Sequence, residues 1–126
     1  DYTTICSSAP AEILALIGLR SRDTVLARSR SIVAANLERL DAFFESWSDQ
    51  FSWVRPRAGS VGFPRLTVAG VSIDRWAADL VRTEGVLLLP GSQFGYEGNH
   101  FRLGFGRTDL PVALERLEAH ASRTLR

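Results

Sequence analysis

From Asp23 to Trp47 the apolar residues Val25, Leu26, Ile32, Val33, Leu37, Leu40, Phe43, Phe44 and Trp47 recur at three- and four-residue steps, the period of an α-helix. Arg28, Arg30, Glu38, Asp41 and Glu45 fall mostly off that stripe. About 25 residues at 1.5 Å each make a rod of roughly 37 Å. A compact chain of this size has a radius of gyration of only about 14 Å. The helix is therefore expected to span the whole domain and to rest one end against something else. The chain's 126 residues are enough for one domain with a single core, so the other elements must be arranged around this rod.

Ser8 is placed to cap an earlier helix, with Pro10 and Glu12 in its first turn. Its body, Ile13, Leu14, Ala15, Leu16 and Ile17, is apolar nearly all round, which calls for burial on several sides. The expected end is Gly18. After the long helix, Phe51 to Arg55 reads as a short strand and Ser60 to Val68 as a second, with Val61, Phe63 and Leu66 expected to face inward. Pro64 cannot donate to a ladder, so that strand should be bulged there or lie at an edge. A third helix begins at Ser72 or Asp74, and Gly85 suits its C′ position. Val86 to Leu89 is expected as a buried strand stopped by Pro90-Gly91, His100 to Gly106 as another, and a last helix starts near Asp109 and Pro111. The order α-α-β-β-α-β-β-α predicts an α+β fold, a small, mostly antiparallel sheet with helices packed on one face.

Composition removes several functions. Fifteen basic against fourteen acidic residues give a net charge of +1, not the footprint of a nucleic-acid or anionic-membrane binder. No apolar run approaches the roughly 20 residues of a membrane helix, and Asp1-Tyr2-Thr3-Thr4 has no basic character of a secretion signal. Cys6 stands alone, so an internal disulfide and a cysteine-based zinc site are both excluded, and a cytoplasmic location is expected. All fifteen basic residues are arginine. No side chain can therefore form a Schiff base.

Chemistry-bearing residues are few. His100 and His120 lack a second ligand at metal spacing, and His120 is expected on the outer face of the last helix. Ser7, Ser60 and Ser92 have no neighbouring histidine to activate them. Gly91, Gly95 and Gly98 precede a strand, not a helix, so a phosphate loop is not supported. Trp47, Trp53 and Trp76 lie on apolar faces and read as core. The segment from His100 to Gly106 is more informative. Alternation puts Phe101, Leu103 and Phe105 on one face and His100, Arg102, Gly104 and Gly106 on the other. Arg102 is a guanidinium beside glycines, suited to a bidentate carboxylate. On spacing alone the favoured reading is a solvated arginine or a structural ion pair with Glu97 or Asp109, since most exposed arginines do nothing specific.

The segment Leu87-Leu88-Leu89-Pro90-Gly91-Ser92-Gln93-Phe94-Gly95, followed by Asn99-His100-Phe101-Arg102-Leu103-Gly104-Phe105, resembles the closing motif of class I/II pyridoxal-phosphate-dependent aminotransferases of fold type I. Tyr2 to Pro10 with the apolar helix after it is similar to the stretch that follows that family's lysine segment. Gly59-Ser60-Val61-Gly62-Phe63 is similar to its glycine-containing strand. The likeness runs through essentially the whole chain in order. It implies a C-terminal small domain, 1–126, of a larger enzyme. The 1–22 segment would then contact the large pyridoxal-phosphate (PLP)-binding domain of the same polypeptide. The missing start methionine, the apolar first helix and the overlong second helix agree with that expectation. The resemblance further implies PLP as cofactor of the full-length enzyme, an amino acid or 2-oxo acid as substrate, and a homodimer. Arg102 matches the position that holds the substrate carboxylate. The family's lysine and most phosphate ligands lie upstream, so no catalytic, cofactor-binding or metal residue is expected here.

Two other functions compete: a free-standing module that binds an amino acid without chemistry, and a dimerisation domain. The lysine-free composition makes a prediction common to all three. Incubated with PLP and then reduced with borohydride, the chain should gain no mass at any side chain and show no transamination. Mass spectrometry checks this, with the terminal amine as the one trivial site of addition.

Overall fold

The computed structural model describes residues 8–125. Cys6, Ser7 and the start of the family-like Tyr2 to Pro10 stretch lie outside the described residues. The chain divides into two compact units, Asp1–Ser31 and Ile32–Arg126. Helix α1 is Ala9–Arg20 and helix α2 is Arg22–Ser46, so the first unit holds α1 and the opening turns of α2. Ser8 precedes α1 in extended conformation but makes no side-chain cap. The helix does not stop at Gly18. A glycine inside a helix costs about 1 kcal/mol and does not forbid the next turn, and the Ser21 N–H closes the end on the Ile17 carbonyl. No residue of α1 is buried.

The second unit contains the rest of α2, then β1 (Phe51–Ser52), β2 (Val61–Gly62), β3 (Arg65–Leu66), α3 (Ile73–Glu84), β4 (Leu89–Pro90), a 3-10 turn (Gly91–Phe94), β5 (Phe101–Gly104) and α4 (Leu110–Thr124). All pairings are antiparallel: β1 with β3, and a three-stranded sheet in the order β2-β5-β4. This is the α+β order expected, with the second extended run divided at Pro64. The register does not change across the division. Val61 opposes Gly104, Gly62 opposes Leu103, and beyond Pro64 an isolated bridge joins Arg65 to His100. The Phe101 N–H meets the Pro64 carbonyl at 3.0 Å. One strand thus runs along β5, interrupted where proline supplies no N–H.

The fourth strand differs from expectation. It pairs at Leu89 and Pro90, not from Val86, and Leu87 is exposed. Proline is tolerated because β4 is the sheet's edge.

The core forms where α2, α3, α4 and the inner faces of the strands converge. Leu40, Phe43, Phe44 and Trp47 of the α2 stripe meet Phe51, Trp76, Phe101, Leu103 and Phe105. The aromatic rings interlock edge to face: Phe43 on Phe44 at 5.1 Å, Phe51 on Trp76 at 5.9 Å and on Phe101 at 6.0 Å. Trp47 and Trp76 are buried, and Trp53 packs against the core, as their apolar settings implied.

His120 is buried, not on the outer face of α4. It lies three residues after Leu117 and so shares that residue's stripe. Its ring packs on Trp76 at 5.1 Å, and Nδ1 lies 3.3 Å from the Thr83 hydroxyl. Nε2 has no hydrogen-bond partner among the described residues, and the Asp79 carboxylate is 3.8 Å away. Burial lowers its pKa below the usual 6.5; Asp79 pulls it up, Arg123 down, and Glu84 up. The native state therefore holds His120 neutral where the unfolded chain is already protonated. Its stabilising contribution is complete above about pH 6.5 and is lost as the pH falls below that value. We expect urea midpoints of the chain to drop between pH 7.5 and pH 5. His120→Gln should flatten that dependence without abolishing it, because His100 is lowered in the same sense.

Candidate functional site

Alternation along β5 turns Phe101, Leu103 and Phe105 into the core and leaves Arg102 and Gly104 exposed. The predicted outer face is thus present. Arg102 sits on the middle strand of three, opposite Leu89 of β4. On the other side the continuous register sets Phe63 beside it.

Phe63 reaches this face because Val61 and Phe63 face the opposite way to that expected, whereas Leu66 faces inward as expected. Gly62, Pro64 and Leu66 point inward, whereas Val61 and Phe63 are 41% and 42% exposed. The reason is the Trp53 indole. It stacks on Phe44 at 4.6 Å and donates to Asp41 at 2.7 Å, which fixes it under the strand. A Cβ on Gly62 would come within 2.5 Å of that ring. Only a residue without a side chain can turn inward there, so its neighbours must turn out.

Around Arg102 the outer face is aromatic. Phe63 stacks on His100 with centroids 5.2 Å apart, and the Tyr96 ring stands edge-on to both, at 5.4 and 4.9 Å. Gly98 permits this approach, since a Cβ there would meet Tyr96 Cε1 at 2.8 Å. His100 Nδ1 is buried without a partner among the described residues, and burial, then the Arg65 charge, lower its pKa. Val61, Phe63, Phe94, Tyr96 and Arg102 line an open cavity of about 330 Å³ whose only charged lining group among the described residues is the guanidinium.

Arg102 makes no hydrogen bond or ion pair with any described residue. The structural partners open to it in sequence do not take it: Asp109 is held in a two-pronged contact with Arg107 at 2.8 and 3.0 Å. That hydrogen bond, with the charge behind it, holds Asp109 below and Arg107 above their ordinary pKa values. A larger hollow of about 440 Å³, bordered by Leu87, Arg107, Asp109 and Arg116, offers no free cation. Arg107 is paired there, and Arg116 donates to the Glu84 carbonyl. No cluster of three potential metal ligands occurs among the described residues. No described helix is long and apolar enough to cross a membrane.

Two residues that the sequence did not single out hold β5 in place. Asn36 of α2, buried at 3% exposure, donates to the carbonyls of Phe105 and Arg107 at 3.0 and 2.7 Å. At the other end Asn99 donates to Leu66 and Val71 and accepts from the Ile73 N–H at 2.8 Å. A signal for Asn36 existed: it is a polar residue four before Leu40 and three after Val33, inside the apolar stripe. None marked Asn99.

No family model matches the chain. A PLP-dependent aminotransferase from Streptococcus suis 89-1591 is 31% identical, superposes with a TM-score of 0.86, and is matched over 98% of this chain and 33% of its own. The PLP-dependent cyclase OrfR, at 24% identity and a TM-score of 0.85 over 96% of this chain and 34% of its own, shares the fold. Among curated proteins, the putative aminotransferase YugH of Bacillus subtilis (strain 168) is 27% identical over 119 residues, 94% of this chain and 29% of its own length. The chain thus spans about a third of the proteins it matches.

The asparagine contacts carry a stability prediction. Asn36→Ala leaves two strand-end carbonyls without their donor and should lower stability by about 1–3 kcal/mol in urea denaturation. Asn36→Asp should be at least as damaging, because a carboxylate offers neither carbonyl an N–H.

Proposed function

We propose, from a chain that corresponds in fold and sequence to a domain-sized third of PLP-dependent aminotransferases, that it is the substrate-carboxylate-binding small domain of such an enzyme. The observation that carries this reading is Arg102. It is an unpaired guanidinium on the middle strand, facing outward beside a glycine and above an apolar cavity. Planar and permanently charged, it can grip a carboxylate through two parallel hydrogen bonds. The α-carboxylate of an amino acid, or the carboxylate of the matching 2-oxo acid, would be held there. The strand is held near both ends by Asn36 and Asn99, so the backbone that carries Arg102 is positioned before substrate arrives.

The residues of this chain do not fit covalent attachment of PLP, since none is a lysine. The cofactor, which supplies an electron sink for the substrate's α-carbon, would be held by the large domain of the same polypeptide. Covering the Arg102 face with that domain would exclude water and strengthen the ion pair. The 1–22 segment is the second proposed contact with the large domain. Within it, Leu14 and Leu19 are 68% and 69% exposed, and so many apolar groups on one helix call for a covering surface. The full-length enzyme is taken to be a homodimer.

Arg102→Ala in the full-length enzyme tests the reading. Fold and cofactor absorbance should be unchanged. Losing one partner of a desolvated charge pair costs roughly 2–5 kcal/mol, so amino-acid binding should weaken by about 30-fold to several thousand-fold. Arg102→Lys should restore only part of it. Amines that lack the carboxylate should be little affected. Equal losses for both kinds of ligand, or an unfolded variant, would make Arg102 a structural residue.

A further inference from the structure

Resting on the carboxylate reading of Arg102, we infer that the cavity beside it receives the side chain of the same substrate, and that this side chain is large, apolar and uncharged. The cavity's walls are Val61, Phe63, Phe94 and Tyr96, all at least 41% exposed on the face that presents Arg102. Three aromatic rings gathered around one cation make a patch that an isolated solvated arginine does not need. Small-molecule sites are built this way, with apolar walls and a single polar group that fixes orientation. The volume of about 330 Å³ lies at the lower end of the range for such sites and leaves room for a phenyl or branched aliphatic group.

The lining also decides what is rejected. A substrate carboxylate at Arg102 uses the only cation among the described lining residues. A second carboxylate on the side chain would be desolvated against Phe63, Phe94 and Tyr96 with nothing in the cavity to pair it. Arg65 lies on the same face but beyond His100, where its charge bears on that imidazole. A basic side chain fares no better, because the lining contains no carboxylate and Arg102 repels it.

The walls are rigid enough to discriminate. Phe63 is clamped between the strand register and the His100 ring, and Tyr96 abuts both. The Tyr96 N–H is tied to the Gly91 carbonyl at 3.0 Å. Phe94 and Tyr96 stand on the turn after β4, outside the core, so they can be truncated without opening it.

The test is calorimetric binding of two unreactive acids, hydrocinnamate and glutarate, to the full-length enzyme, together with kcat/KM for phenylalanine, glutamate and alanine. Hydrocinnamate should bind at least roughly 30-fold more tightly than glutarate, and phenylalanine should exceed glutamate in kcat/KM by about 100-fold or more. Tyr96→Ala and Phe94→Ala should each weaken hydrocinnamate roughly 10-fold more than they weaken propanoate. Circular dichroism should show both variants folded. Glutarate binding as tightly as hydrocinnamate would overturn the assignment. So would equal losses for hydrocinnamate and propanoate in the variants. If Arg102→Ala leaves both acids unaffected, the carboxylate anchor itself falls and this assignment with it. An effective Arg102→Ala without a preference for hydrocinnamate overturns the assignment alone.

Discussion

Two asparagine side chains secure the strand on which every functional statement about this protein depends. Asn36 reaches from α2 to the carbonyls of Phe105 and Arg107, and Asn99 ties the start of β5 to Leu66, Val71 and Ile73. Asn36 supplies donors to two carbonyls just past the end of Phe101–Gly104, and Asn99, just before its start, supplies partners to backbone groups of the neighbouring segments. A buried carbonyl without a donor is expensive, so these amides do more than decorate the strand ends. They set its position along the sheet, and with it the height of Arg102 above the outer face.

Beneath that strand the aromatic core acts as a mould. Phe44 and Trp53 stack, Asp41 accepts from the Trp53 indole, and Arg55 pairs with the same carboxylate. The indole then takes the space where a side chain at position 62 would go. That local exclusion turns Val61 and Phe63 outward, while Leu66 stays inward. Its consequence lies on the opposite side of the sheet, where Phe63 is delivered beside Arg102. Packing inside thus shapes the chemistry outside through the strict alternation of a strand.

The likeness to PLP-dependent aminotransferases covers nearly all of this chain but about a third of theirs. The chain carries an outward-facing cation and an apolar wall beside it. It carries no lysine and no cluster of metal ligands among the described residues. Recognition of a substrate's carboxylate and side chain is the task proposed for these residues.

Much of the architecture was legible in the residues themselves. The apolar stripe from Leu37 to Trp47, the alternation of Phe101, Leu103 and Phe105, and the break at Pro64 were enough for the element order and the outward direction of Arg102. These features repeat at the period of one element, so the element alone encodes them. Three other outcomes needed the folded chain. Val61 and Phe63 face outward because Trp53, from another strand's end, fills the space beneath Gly62. His120 is buried because α4 turns that stripe toward Trp76 and Thr83 of α3. Asn36 holds a carbonyl 69 residues away in the chain. In each case the deciding atom lies on a different element, and local periodicity carries no record of what will be packed against it.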